Sequence, residues 1–358
     1  MNSSILPDSF LIIMGILLLI YSLSTKINYR KMFLTDLMLF VLTCIVLVKS
    51  AETLVGSLSR IASYFRVTEF VVGFMIMAFA TSIPELFTGI SSAMESTVES
   101  PKTSLALGNV IGANIIDLTL VIGIAAILRR NIKVETKAVR TDTVYMFLIS
   151  ILPLILMMDH EISRIDGVVL LFIFAIYVFR LLTQKGRFRE KIGIDISRGE
   201  FHKNLILFVI SISLLFISAH FLIEYAHALA LELGVPDILI GLLMISLGTT
   251  LPELTFETKA VLSEHQYMAL GDLIGSVIAN STLVLGLTAI IFPIQTTDFI
   301  LFMTSAFFML TIAFLFMTFI EAEKHITWQE GIALIFLYIL YMVVVLTIRS
   351  LEEVQAMG

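Results

Sequence analysis

Long apolar stretches dominate the chain, each about as long as a helix needs to cross the roughly 30 Å hydrocarbon core of a bilayer. They fall at about residues 9–25, 36–60, 66–95, 102–128, 141–158, 163–183, 203–229, 235–263, 268–292, 297–318 and 326–348. The pattern predicts eleven spanning helices joined by short polar turns. The longest polar connection, 184–202, is rich in Lys and Arg and too short to fold as a soluble domain.

Composition narrows the class. Of 358 residues, 58% are hydrophobic and 15% charged, against roughly 45–50% and 25% for a soluble domain, and the mean hydropathy is +1.00. A water-soluble fold of this size would leave large apolar patches exposed. The expectation is an all-α, polytopic membrane bundle. Its Lys and Arg sit mostly in loops, with no basic stripe for nucleic acid. The single cysteine, Cys44, lies in an apolar run, which excludes a disulfide framework and a thiolate metal cluster. Met1 to Phe10 lacks a basic n-region, so the first apolar segment reads as a span and not a cleaved signal. With alternating spans, Arg60, Arg66, the cluster from Arg129 to Arg140 and the 184–203 loop collect on one side. The positive-inside rule puts that side and the N-terminus in the cytoplasm, the C-terminus outside, and the protein in the plasma membrane.

The chain is duplicated. Ala78-Phe79-Ala80-Thr81-Ser82-Ile83-Pro84-Glu85-Leu86 recurs as Ser246-Leu247-Gly248-Thr249-Thr250-Leu251-Pro252-Glu253-Leu254. Farther on, the ten residues from Gly108 to Asp117 match those from Gly271 to Asn280, including the paired glycines Gly108/Gly112 and Gly271/Gly275. The chain therefore divides into an extra N-terminal helix and loop (1–35), a first five-helix repeat (36–183), a basic cytoplasmic loop (184–202), a second repeat (203–348) and a tail (349–358). Units with an odd number of spans insert with opposite orientations, which is the inverted-repeat plan of secondary transporters with a site near the midplane.

Glu85 and Glu253 sit inside stretches that must span lipid, where a charge costs on the order of 2.5–3.5 kcal/mol even on insertion scales. Each follows a proline, which lacks an N–H and frees the carbonyl four residues back, Ala80 and Gly248. Carboxylates, freed carbonyls and the hydroxyls of Thr81, Ser82, Thr249 and Thr250 form an all-oxygen environment suited to hard cations such as Ca²⁺ and Na⁺. Asp117 and Asn280 occupy matched positions, and Ser276 matches Ala113. The glycine pairs let a neighbouring backbone approach and are expected to pack these helices against the proline-broken ones.

Plainer readings stand beside this one. A four-residue glycine spacing is often only packing, and a buried Glu could pair with Lys49. Asp272 and Asn109 read as N-caps near helix starts. Glu257, matched by Gly89, reads either as tuning the site or its proton coupling or, at least as well, as structural or interfacial, and the six histidines as solvated or structural. No nucleophile–base pair or phosphate loop marks an enzyme.

The duplicated Thr-(Ser/Thr)-x-Pro-Glu-Leu and Gly-x-x-Ile-Gly segments resemble the two alpha-repeats of the cation/calcium exchanger superfamily, in particular its minimal prokaryotic-type sodium/calcium exchangers. The resemblance implies ten helices in two inverted repeats, with Na⁺ and Ca²⁺ bound alternately at one central cluster and the first helix of each repeat moving as a gate. It also implies Ca²⁺ ligands from Glu85, Glu253 and the carbonyls of Thr81 and Thr249. Around Na⁺ it adds the hydroxyls of Ser82, Thr250 and Ser276 and the carbonyls of Ala78 and Ser246. Against the family pattern, Asp117 and Asn280 are exchanged, Ala113 replaces a hydroxyl, and the 9–25 span is additional. The expected function is Ca²⁺/Na⁺ antiport by alternating access, with no cofactor; the alternatives are a Ca²⁺/H⁺ exchanger and a K⁺-dependent exchanger.

Overall fold

The computed structural model describes residues 32–65, 73–94, 96–97, 103–134, 137–183, 196–232, 246–296, 299–323 and 325–357. The expected span at 9–25 lies outside them. The first repeat begins with α1 (Met32–Phe65). A π-helical turn, Gly73–Met77, then runs into α2 (Ala78–Thr81), and α3 (Ile83–Met94) follows. Next comes α4 (Thr103–Ile116), continued through a π turn at Asp117–Val121 into α5 (Ile122–Arg129). The repeat ends with α6 (Lys137–Ser150), α7 (Leu152–Leu156) and α8 (Arg164–Thr183). The second repeat holds α9 (Arg198–Glu232), α10 (Ser246–Leu262), α11 (Gln266–Ala279), a π turn at Asn280–Val284 and α12 (Leu285–Ile291), then α13 (Phe299–Glu323) and α14 (Trp328–Met357).

Seven of these stretches are long and apolar enough to cross a bilayer, and the pair Gly73–Thr81 and Ile83–Met94, bent by 43°, makes an eighth. Their outer faces carry bare aromatic and aliphatic side chains such as Leu148, Phe307 and Phe336, as lipid in place of water requires. One charged pair near that surface is closed on itself: buried Asp142 accepts from Arg180 Nη1 at 3.0 Å, and the guanidinium lies 3.8 Å over the Tyr145 ring. The stretches Ala106–Arg129 and Gln266–Ile291 are the most enclosed, 78% buried against 28% for Arg198–Ser218 and Trp328–Ile348. The glycine-motif helices are thus the centre of the bundle.

The duplication is visible as a pseudo-symmetric structure. The π turns begin at Asp117 and Asn280, the matched positions of the two repeats. Two short antiparallel ladders tie the halves together. In one, β1 (Asn131–Lys133) pairs with β4 (His325–Thr327); in the other, β2 (Glu161–Ile162) pairs with β3 (Ile294–Gln295). Since one span separates β1 from β2, the ladders sit at opposite ends of the bundle, each built from one segment of each repeat. Two matched helix crossings repeat the theme. A Cβ on Gly123 would meet the Gly331 carbonyl at 2.9 Å, and one on Gly286 would meet the Gly167 carbonyl at 3.0 Å. α1 and α9 pack chiefly on each other, with a small apolar cluster of their own around Leu39 and Tyr225, separate from the main core.

One expectation is corrected here. Proline breaks only one of the two motif helices: the first repeat bends at Ser82, whereas α10 runs unbroken through Pro252. A proline removes one hydrogen bond but its φ is helical, so neighbours that hold the helix can keep it continuous.

A candidate cation site between the repeats

The bend at Ser82 turns the carboxylate-bearing start of α3 toward the middle of the bundle. Ser82 N–H donates to the Ala78 carbonyl at 3.2 Å, and the chain restarts as Leu86 N–H reaches the Ser82 carbonyl at 3.0 Å. Glu85 then lies in the first turn of α3 and is buried. On α10, Thr249, Thr250 and Glu253 lie within about one turn of each other; Thr250 and Glu253 are buried and Thr249 half-buried. Ser246 is the first described residue of α10. Across from them run α4 and α11 with their π turns, which carry Asp117, Asn280 and Ser276, all buried.

Contacts cross from each motif helix to the other repeat. Thr81 Oγ1 lies 3.0 Å from the carbonyl of Met77, 3.2 Å from Asp272 Oδ1 and 3.3 Å from Ser276 Oγ. At the matched place, Thr249 Oγ1 donates to Asn109 Oδ1 at 3.2 Å. Thr249 also stands beside the Glu85 carboxylate, and Glu253 is within electrostatic reach of Glu85, Asp117 and Asp272. A short amide relay closes the centre: Asn280 Nδ2 donates to Asn114 Oδ1 at 3.2 Å, and Asn114 Nδ2 donates to Ser281 Oγ at 3.0 Å.

Five carboxylates are therefore buried together: Glu85, Asp117, Glu253, Glu257 and Asp272, none more than 1% exposed. Both oxygens of Glu85, Asp117 and Glu257, and one each of Glu253 and Asp272, have no hydrogen-bond partner. Among the described residues the ion pairs lie elsewhere. Lys49 and Lys259 both hold Glu52, at 3.0 and 3.1 Å; Arg140 holds Glu321 at 3.3 Å, and Arg129 holds Glu264. The alternative pairing of Lys49 with a buried motif glutamate is therefore not what forms. Unpaired ionised carboxylates are among the most expensive groups to bury, so this arrangement has capacity for external positive charge. Among the described residues no three His, Cys, Asp or Glu side chains are close enough to hold one metal ion by themselves. A cation here must draw on hydroxyls, amides and carbonyls as well, the oxygen-rich mixture that hard ions accept.

Three sequence expectations change. Asn109 and Asp272 are not N-caps: both lie inside helices, buried, and both accept from a motif threonine of the opposite repeat. A face reading would have found them, because 109, 113 and 117, like 272, 276 and 280, recur every four residues on one helix face. Glu257 is no interfacial group; it is fully buried and feels the charges of Asp272 and Asp117. The glycines also divide. Gly275 packs against Ala78 and Phe74 of the Gly73–Thr81 segment as expected, but Gly108 has nothing within 4 Å of its would-be Cβ.

Comparisons with known proteins converge on one family. A sequence profile described as "Sodium/calcium exchanger protein" matches residues 35–183 and 203–347. The chain is 27% identical over 353 residues to the sodium/calcium exchanger MaX1 of Methanosarcina acetivorans, covering 87% of this chain and 99% of that one. It is 30% identical over 266 residues to the putative antiporter CaxA of Alkalimonas amylolytica, covering 71% and 81% respectively. Among solved structures it is similar to the sodium-calcium exchanger NCX_Mj soaked with Na⁺ and no Ca²⁺, with a TM-score of 0.74, 27% identity, and coverage of 87% of this chain and 99% of that chain.

Proposed function

The chain belongs to the sodium/calcium exchanger family, and on that premise we propose that it is a secondary antiporter moving Ca²⁺ against Na⁺ across the plasma membrane. The observation that carries the reading is the set of buried carboxylates at the junction of the two repeats that have no basic partner among the described residues. In this reading Glu85 and Glu253, with the carbonyls of Thr81 and Thr249, hold Ca²⁺. The same glutamates serve Na⁺ together with the hydroxyls of Ser82, Thr250 and Ser276 and the carbonyls of Ala78 and Ser246. Asp117 supplies further negative charge and Asn280 the facing amide.

Coupling follows from electrostatics. Ca²⁺ and Na⁺ compete for shared carboxylates, so binding of one ion expels the other. Only a site neutralised by one or the other can pass the low-dielectric barrier between inward-facing and outward-facing states. In this reading the repeats are 36–183 and 203–348, and the basic 184–202 connection, of which Arg198 onward already belongs to α9, faces the cytoplasm. α1 and α9, which pack mostly on each other, form the moving gate against the core that holds the ions.

The test is ⁴⁵Ca²⁺ uptake into proteoliposomes of the purified protein, driven in parallel by an outward Na⁺ gradient and by a pH gradient without Na⁺. Uptake with the Na⁺ gradient alone is the expected result. Uptake with the pH gradient alone would replace Na⁺ by H⁺ as the driving ion.

A further inference from the structure

Two of the five buried acids, Asp272 and Glu257, are not among the ligands assigned above. Neither has an acidic counterpart in the first repeat, where Asn109 and Gly89 stand at the matched positions. Both oxygens of Glu257 lack any hydrogen-bond partner; on Asp272 one oxygen lies 3.2 Å from the Thr81 hydroxyl and the other is bare. The two acids lie on packed neighbours, α10 and α11, and Asp272 is the strongest charge acting on Glu257. The Gly89/Glu257 difference is accompanied by a swap of sizes at a second pair of matched positions. In the first repeat Gly89 lies against Thr288, whose hydroxyl would collide with a Cβ there. The position matching Thr288 is Ala125, buried on α5, a helix that packs against α10.

Neither Glu257 oxygen accepts a hydrogen bond from the protein, so its charge, when ionised, has no donor to offset it and calls for a cation. Charge counting points the same way: one Ca²⁺ offsets two of five formal negative charges, and the remainder stays costly in a membrane interior. Two carboxylates, with the hydroxyls of Thr81 and Ser276 next to Asp272, form a hard-oxygen set of modest charge.

We propose that Asp272 and Glu257 form an additional subsite for a monovalent alkali cation, Na⁺ or K⁺, occupied alongside Ca²⁺. The proposal rests on the exchanger reading above. Thr81 would link the two sites, since its hydroxyl touches Asp272 and Ser276 while its carbonyl serves the central ion.

The experiment is equilibrium tracer binding to the purified full-length protein in choline buffer. ⁴⁵Ca²⁺ is measured first; then ²²Na⁺ or, separately, ⁸⁶Rb⁺ as the K⁺ probe is added at saturating Ca²⁺. One tightly bound tracer ion per Ca²⁺-loaded wild-type protein is expected, and the tracer that binds identifies the ion. Glu257→Gln and Asp272→Asn should lose it, while Glu257→Asp, which keeps the charge, should retain it with weaker affinity. Ca²⁺-saturated wild type binding neither tracer would overturn the proposal, as would monodisperse Gln or Asn variants that keep the tracer. Wild type binding no ⁴⁵Ca²⁺ would overturn the exchanger reading itself, a separate and recognisable failure.

Discussion

Gly108 and Gly275, one glycine from each of the duplicated Gly-x-x-x-Gly segments, should respond oppositely to the same substitution. Gly275→Ala places a Cβ 3.0 Å from Phe74 Cδ2 and 3.3 Å from Phe74 Cε2, and closer still to the Ala78 Cβ. Phe74 and Ala78 are each 1% exposed, so neither has free volume to retreat into. Overpacking of this kind costs about 1–3 kcal/mol. Gly108→Ala meets nothing within 4 Å and gains the helix preference of Ala over Gly, about 0.5–1 kcal/mol. Because both changes are Gly→Ala inside a helix, the propensity gain cancels in the comparison, leaving the packing penalty of about 1–3 kcal/mol as the difference between the two variants. Thermal unfolding of each purified variant in detergent measures the order of stabilities, with Gly108→Ala highest and Gly275→Ala lowest. The strain at Gly275 also pushes Ala78 and Thr81 away from Ser276 and Asp272. If all of it fell on ion binding, the apparent Ca²⁺ Kd would rise about 5- to 150-fold. A Gly275→Ala protein that melts with or above Gly108→Ala and binds ⁴⁵Ca²⁺ as wild type does would refute the close approach of α11 to the Gly73–Thr81 segment.

Glu85→Gln and Glu253→Gln should each abolish Na⁺-driven ⁴⁵Ca²⁺ uptake while the protein still elutes as a monodisperse species, and unchanged uptake in either variant would sink the assignment. Asn114→Ala removes the acceptor of Asn280 and the donor to Ser281; orphaning those groups should cost about 1–3 kcal/mol, read as a lower unfolding temperature. Asp142→Asn strips the charge from a carboxylate 1% exposed while Arg180 stays in place, a change that should cost about 3 kcal/mol and leave ion selectivity untouched in the uptake assay.

Asp272 shows where sequence reasoning lost its way. The residue lies close behind the start of an apolar run, and a polar residue there reads most simply as a cap. In the structure α11 begins at Gln266, so Asp272 lies well inside the helix with its backbone already satisfied. The repeat analysis held the correct information, since Asp272 and Asn109 stand one turn before positions already singled out. Glu257 was harder. Its spacing from Glu253 places both on one face of α10, but only knowledge of which way that face points separates an ion ligand from a group at an interface.

Hydrophobic length and duplication gave the helical membrane class and the inverted-repeat plan early, because lipid leaves few choices: a long apolar run favours a helix, and an odd-numbered repeat must invert. The motif acids Glu85 and Glu253 were legible for the same reason, as charges inside such runs are too costly to be incidental. What only the tertiary structure decided is how the repeats meet. Thr81 reaches Asp272 across 191 residues, and Thr249 reaches Asn109 across 140. The bend survives at Ser82 but not at Pro252, and among the described residues five acids share one interior without a basic ion-pair partner. These outcomes depend on the packing of helices far apart in the chain, and side-chain direction at such crossings is fixed by the neighbour and not by the local sequence.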